Sequence, residues 1–243
     1  MFHGSNTLSQ YNKRNILIWL ALAFQAGAVN AGGFIGCHRF VTHTTGFATH
    51  FGTELAMGHL VSAISMATVP IFFLLGCMFS ANLVDRRISM KLNPKYGTLL
   101  GSLVVIFLVL AILGSLGLLG TFGDQYDGWG DYLLISALAL AMGIQNASIT
   151  SASGAIVRTT HLTGITTDLG IGLVRLLTKS TPEITKANER KASTMRAGII
   201  LAFILGSMIG ALIFLNLGYQ GFYLPTATAM FILLYARLTA KET

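Results

Sequence analysis

The residues best suited to chemistry form one polar phrase that is written twice. Thr42-His43-Thr44-Thr45-Gly46-Phe47-Ala48-Thr49-His50-Phe51-Gly52-Thr53-Glu54-Leu55 and Thr160-His161-Leu162-Thr163-Gly164-Ile165-Thr166-Thr167-Asp168-Leu169-Gly170-Ile171-Gly172-Leu173 both fit T-H-x-T-G-x-x-T-x-x-G-x-x-L. Thr45 and Thr163 stand where helix N-caps would stand, and Gly46 and Gly164 permit close backbone approach to a ligand. Exposed amides and the positive helix end favour an anion or carboxylate there. Arg39 and Arg158, just upstream, strengthen that preference, although they are not at aligned positions. Thr49 and Thr167 match one step further on, followed by His50 and Asp168. An ionisable group inside a membrane is a functional residue by default, and a His with a pKa of about 6.5 can carry protons. If the segments only lie at the interface, both residues are simply solvated.

The repetition extends outward. Gly27-Ala28-Val29-Asn30-Ala31 matches Gly143-Ile144-Gln145-Asn146-Ala147, and Leu75-Gly76-Cys77-Met78-Phe79-Ser80-Ala81 matches Leu205-Gly206-Ser207-Met208-Ile209-Gly210-Ala211. Asn30 and Asn146, with Gln145 beside the second, are therefore matched amides that either bind a polar solute or bond across helices.

The elements that must position these groups are membrane helices. Of 243 residues, 53% are hydrophobic and only 10% charged, which no ordinary soluble domain of this size shows. Runs of roughly 20 apolar residues cross a bilayer. Six are expected: Ile16–Gly36, Leu60–Val84, Leu99–Leu119, Leu133–Ala152, Ala197–Leu217 and Phe222–Leu238, the last being the shortest. Lys13-Arg14, an apolar stretch and Ala26-Gly27-Ala28 resemble a secretory leader. The apolar run nevertheless continues to Gly36, and its second half aligns with the fourth span, so a retained span is expected.

The net charge of +7 is sorted by loop, not gathered on a face, which argues for orientation and not for nucleic acid. One side receives Lys13, Arg14, Arg86, Arg87, Lys91, Lys95, Arg158, Arg175, Lys179, Lys186, Arg190, Lys191, Arg196, Arg237 and Lys241. The other receives Arg39 and an acidic loop near Asp124, Asp127 and Asp131. Both termini are therefore expected in the cytoplasm of a cell with this protein in its inner membrane.

Three spans per half force the second copy to enter the membrane inverted. The expected fold is all-α and polytopic, six transmembrane helices in two inverted three-helix repeats. A cytoplasmic tail (1–15) precedes the first repeat (16–120), an external loop (121–131), the second repeat (132–238) and a short tail (239–243). The phrase in each half opens about a dozen weakly amphipathic residues. That length reaches about halfway across, so each is either an interfacial helix or a re-entrant half-helix lining a cavity. The solvated stretch Thr178–Ser193 reads as a surface loop. Pro70 should bend the second span. Gly97 with Gly101, and Gly206 with Gly210, are spaced for close helix packing within the chain, while a homodimer face stays open.

At Gly27–Ala31, Phe40–Gly46, Gly143–Ala147 and Thr160–Gly164 the chain resembles the bacterial YoaK family of multi-span membrane proteins, from the first span into the fifth. That family's pattern has Val-Asp-Ala, Thr-Gly-Asn and Gly-Leu-Gln-Asn-Ala steps. Here they read Val29-Asn30-Ala31, Thr45-Gly46-Phe47 and Gly143-Ile144-Gln145-Asn146-Ala147. An acid and an amide are thus replaced. The resemblance implies the architecture and brings no substrate.

His38, His43, His50, His59 and His161 cluster around the repeats but follow no metal-ligand spacing, and they read as interfacial or pore-lining. Cys37 and Cys77 read as packing residues. Glu54 aligns with Gly172 and should be solvated. No nucleophile elbow, H-E-x-x-H pair, Walker loop or dinucleotide fingerprint is present, so neither enzyme nor cofactor is expected. The expected function is passage of a small polar or anionic solute by alternating access of the two halves. Asn30, Thr45, Gly46, Thr49, His50, Gln145, Asn146, Thr163, Gly164, Thr167 and Asp168 would line its route. The alternative is a ligand sensor or assembly factor that binds in the same cleft without turnover.

Overall fold

In the computed structural model, which describes residues 11–124, 128–153 and 160–239, the described residues form helices and connecting turns without a strand. Asp127, Arg158 and Lys241 lie outside the described residues. Five runs are long and apolar enough to cross a bilayer: Lys13–Cys37, Ser62–Ser89, Tyr96–Ser115, Trp129–Ser153 and Glu183–Thr239. The last contains two helices.

The long helices are α1 (Lys13–Cys37), α3 (Leu60–Leu83), α5 (Tyr96–Ser115), α6 (Trp129–Ser153), α8 (Glu183–Leu217) and α9 (Tyr223–Thr239). Between them lie two short helices, α2 (Thr44–Ala56) and α7 (Leu162–Leu177), and one turn of helix, α4 (Asp85–Ser89). A 3-10 turn at Gly218–Phe222 joins α8 to α9. Pro70 is absorbed within a continuous α3. Outward residues such as Ile71, Leu74, Leu75 and Met78 on α3, and Leu201, Ile204, Leu205 and Met208 on α8, are exposed at helical spacing. A soluble protein does not leave such belts in water, whereas a lipid-facing helix requires them.

The two most extensive helix pairs are α1 against α8 and α3 against α6. Glycines set how closely they approach. A methyl on Gly27 would run into the carbonyl of Phe203 and sit 2.9 Å from the Ser207 nitrogen, and one on Gly206 would meet Phe24. On the other pair, a methyl on Gly143 would run into Phe73 and one on Gly76 would sit 2.9 Å from the Ile144 nitrogen. In lipid, where no hydrophobic force drives helices together, such backbone contact is a main source of association. Two side chains reinforce it: Ser207 donates to the Gly27 carbonyl (3.2 Å), and the aligned Cys77 donates to the Gly143 carbonyl (3.5 Å). Cys37 is buried and Cys77 half-buried, and neither is in a disulfide. Gly210 is also close against Ala28; of the Gly97/Gly101 pair, Gly97 touches Arg237 and Leu233 of α9, whereas a Cβ on Gly101 would meet nothing within 4 Å.

Around this frame α2 packs on α3, α7 on α8, and α5 on α9, with α1 also touching α9 and α5 touching α6. Two expectations fail at the polar ends. The stretch expected as a loop from Thr178 to Ser193 is helical from Glu183 onward, as the start of the 35-residue α8. Its Glu, Lys, Ala and Arg are good helix formers, and Lys186 pairs with Glu183 at 3.3 Å. Glu189 is buried there, bonded to Arg196, to Ser193 and, across to α7, to Arg175 at 3.3 Å. At 1.5 Å per residue α8 is about 50 Å long, so its charged first third extends beyond a hydrocarbon layer of about 30 Å. Asp131, expected in an exposed acidic loop, is buried in the first turn of α6, where its carboxylate accepts the Gly128 N–H at 2.9 Å.

Candidate functional site

Each copy of the repeated phrase is tied to the long helix before it by an asparagine. Asn30 Oδ1 on α1 accepts from the backbone N–H (3.3 Å) and hydroxyl (3.1 Å) of Thr42. Asn146 Oδ1 on α6 accepts from the hydroxyl of Thr160 at 2.8 Å, and both residues are buried. The matched amides are therefore tethers that set where each short helix begins. Asn146 also places its Nδ2 3.4 Å from His161 Nε2. An amide N–H donates only, so this contact requires Nε2 as acceptor, with the imidazole proton on Nδ1.

The helices start earlier than Thr45 and Thr163. The N-cap residues are His43 and His161, and Thr45 and Thr163 sit within the first turn. Neither cap residue's side chain bonds to the turn it precedes. A helix leaves its first amides without internal partners, so both first turns offer donors and a positive dipole end. At the other end, α7 runs 16 residues, longer than the expected dozen, because Leu173, Val174, Leu176 and Leu177 continue its apolar sequence. α2, at 13 residues, matches the expectation.

Both first turns open onto one cavity of about 510 Å³. Thr42, His43, Thr44 and Thr45 reach it from the first copy, and Thr160, His161, Leu162, Thr163 and Gly164 from the second. Asn30, Phe40 and Phe203 complete the lining. Among the described residues the walls are hydroxyls, one amide, two imidazoles and apolar faces, with no Asp, Glu, Lys or Arg. Phe47 and Ile165, at equivalent positions after the two glycines, are buried and anchor the two first turns. Among the described lining residues no carboxylate stands to hold a cation or repel an anion.

Of the residues expected at the site, Asn30, Thr45, Thr163 and Gly164 line this cavity. Gly46 is half-buried beside it, and an added Cβ would meet only the His43 side chain, at 3.6 Å. The Thr49 and Thr167 hydroxyls bond back to the carbonyls of Thr45 (3.1 Å) and Thr163 (2.9 Å). Both threonines are exposed, as are His50 and Asp168, and none of the four lines the cavity. Gln145 is fully buried between α1 and α6, accepting from Gln25 Nε2 and donating to the Leu22 carbonyl, each at 2.9 Å. Arg39 lies over the Tyr132 ring at 5.8 Å and is not among the lining residues. Glu54 pairs with His59 at 3.0 Å. Among the described residues no three His, Cys, Asp or Glu groups converge to hold a metal.

Asn146 faces a second cavity of about 490 Å³, with Asp85, Thr150 and Ser151, and His161 borders both cavities. Ser151 donates to Asp85 Oδ2 at 2.8 Å. His161 thus borders two cavities, and it is matched by His43 in the other copy of the phrase.

No curated protein and no solved structure matches this chain. A family model described as "Protein of unknown function (DUF1275)" matches residues 18–235, and with most of its length covered the chain belongs to that family.

Proposed function

We propose that the protein is a bacterial inner-membrane carrier that moves a small polar, anionic solute through the cavity shared by the two repeated phrases. One observation carries this reading: the first turns of α2 and α7, from separate halves of the sequence, open onto the same cavity, in which no charged side chain stands among the described residues. Two helix N-termini facing one space favour negative charge at that point. Discontinuous helices meeting near the middle are how many carriers build a substrate site.

What supports an inverted repeat is that matching positions make matching contacts. α1 on α8 corresponds to α6 on α3, and α2 on α3 to α7 on α8. Gly27 and Gly143, Gly76 and Gly206, and Cys77 and Ser207 are used equivalently at the two interfaces. On this reading α8 and α9 cross separately, the termini share the basic, cytoplasmic side, and the two halves rock about their glycine-packed seams. His161 is then the wall between the central chamber and a chamber toward Asp85.

The site is tested by cysteine protection. Thr45→Cys and Thr163→Cys are made in a Cys37→Ala, Cys77→Ser background and labelled in oriented vesicles with a small impermeant thiol reagent, across a panel of small anions. The same anion should protect both positions over the same concentration range. Protection of one position alone, or loop-like labelling that no anion slows, would dissociate the two copies and overturn the shared site. Binding without turnover uses the same residues and is separated by flux.

A further inference from the structure

A second, separate site lies at the end of the bundle where α1 and α5 begin and α6 and α9 finish. A cavity of about 210 Å³ opens between these four ends. Its body is apolar and largely buried, walled by Ile18 and Leu22 of α1, Leu99 of α5, Ile149 of α6 and Ile232 of α9. Two guanidinium groups, Arg14 and Arg237, also line it, as do the polar Asn15, Tyr96 and Ser148, with no carboxylate among the described lining residues. We infer that this cavity binds a single-chain anionic amphiphile, its hydrocarbon chain in the apolar body and its carboxylate or phosphate on Arg14 and Arg237.

Three features point to such an occupant. Arg14 donates one N–H to the Ala236 carbonyl at 3.1 Å, which ties the start of α1 to the end of α9, while its Nε is buried without a hydrogen-bond partner. The positive charge that an anionic head group would pair with lies on the guanidinium groups of Arg14 and Arg237, both of which line the cavity. Gly97 lies under Arg237, the guanidinium 3.8 Å from where a Cβ would be, so nothing larger fills the basic end. The volume is below the roughly 300 Å³ at which drug-sized pockets begin, which suits one chain and excludes a bulky ring system. Basic pockets between helices on the cytoplasmic side are a general means of holding anionic lipid groups. The inference does not depend on the solute reading, since no residue is shared with the cavity between the repeats.

The test uses the full chain in phosphatidylcholine nanodiscs and a fluorescent polyene fatty acid as the probe. Dodecanoate or dodecyl phosphate should displace the probe saturably, and whichever acts at lower concentration identifies the head group as carboxylate or phosphate. Dodecanol, which lacks the charge, and butyrate, which lacks the chain, should be at least about tenfold weaker. Arg14→Gln/Arg237→Gln should weaken the probe about tenfold or more, Arg237→Lys should retain most of the affinity, and Ile149→Trp, which fills the body, should abolish saturable binding. Equal displacement by dodecanol, or undiminished binding in the double-Gln or Trp variant, would overturn the inference. If a variant does not elute as a folded monodisperse species, the comparison of dodecanoate with dodecanol on the wild-type chain decides.

Discussion

Replacing Gly27 with alanine is the most sensitive probe of the seam between α1 and α8. The added methyl would overlap the Phe203 carbonyl and lie 2.9 Å from the Ser207 nitrogen. Both obstacles are backbone, so neither can rotate aside, and the helices must separate. Overpacking of this kind costs about 1–3 kcal/mol. Separation also stretches the 3.2 Å bond from Ser207 to the Gly27 carbonyl, worth about 1 kcal/mol, while alanine's helix propensity returns about 1 kcal/mol. The net loss is about 1–3 kcal/mol, a fall in melting temperature of roughly 2–12 °C for a chain of this size. Gly206→Ala forces apart the same seam, so the double variant should lose less than the sum of the two. Gly46→Ala provides the opposite sign, since its Cβ would meet only His43 at 3.6 Å and the helix gains up to about 1 kcal/mol. Thermal unfolding of the purified variants in a mild detergent, followed by tryptophan fluorescence and size exclusion, reads all of them. A Gly27→Ala protein as stable as wild type, or a Gly46→Ala protein as damaged as Gly27→Ala, would refute the packing argument.

Other substitutions test the polar ties. Asn146→Leu should destabilise by about 1–3 kcal/mol, because the buried Thr160 hydroxyl loses its 2.8 Å acceptor; the melting temperature checks it, and Thr160→Val in the same background should add little. Glu189→Ala should cost about 1.5–3 kcal/mol by stranding Arg196, whereas Arg175→Ala, on a side chain 58% exposed, should cost less than about 1 kcal/mol. Cys77→Ser should be within about 0.5 kcal/mol of wild type, since serine at the aligned position 207 already makes the equivalent bond to a glycine carbonyl; a large loss would show that the two seams are not used alike.

The sequence made the frame legible because membrane helices announce themselves by length and hydropathy, and duplication marks equivalent positions. Gly27 and Gly143 were visible as a pair, and the structure uses them as one. Thr-Gly looks like a cap, yet both short helices begin two residues sooner, next to the asparagine tethers on Thr42 and Thr160. Gln145 misled because its partner Gln25 stands opposite Ala141 in the alignment, so the repeat gave no hint of a private bond across α1 and α6. His50 and Asp168 match in sequence yet fall on exposed faces, since a repeat preserves helix register without saying which face meets the cavity. The charged run before Arg196 read as a loop because its partners, Arg175 and Glu189, become neighbours only once α7 folds back onto α8.

Passage of solute through the cavity shared by the two phrases is tested most directly by flux into liposomes containing the purified protein. Gly164 lines that cavity and Gly46 does not, so across a panel of small anions, amino acids and weak acids the wild type and Gly46→Leu should give a saturable signal that Gly164→Leu abolishes while remaining folded. A folded wild-type protein silent across the panel, or a Gly164→Leu protein that conducts as wild type does, would contradict it.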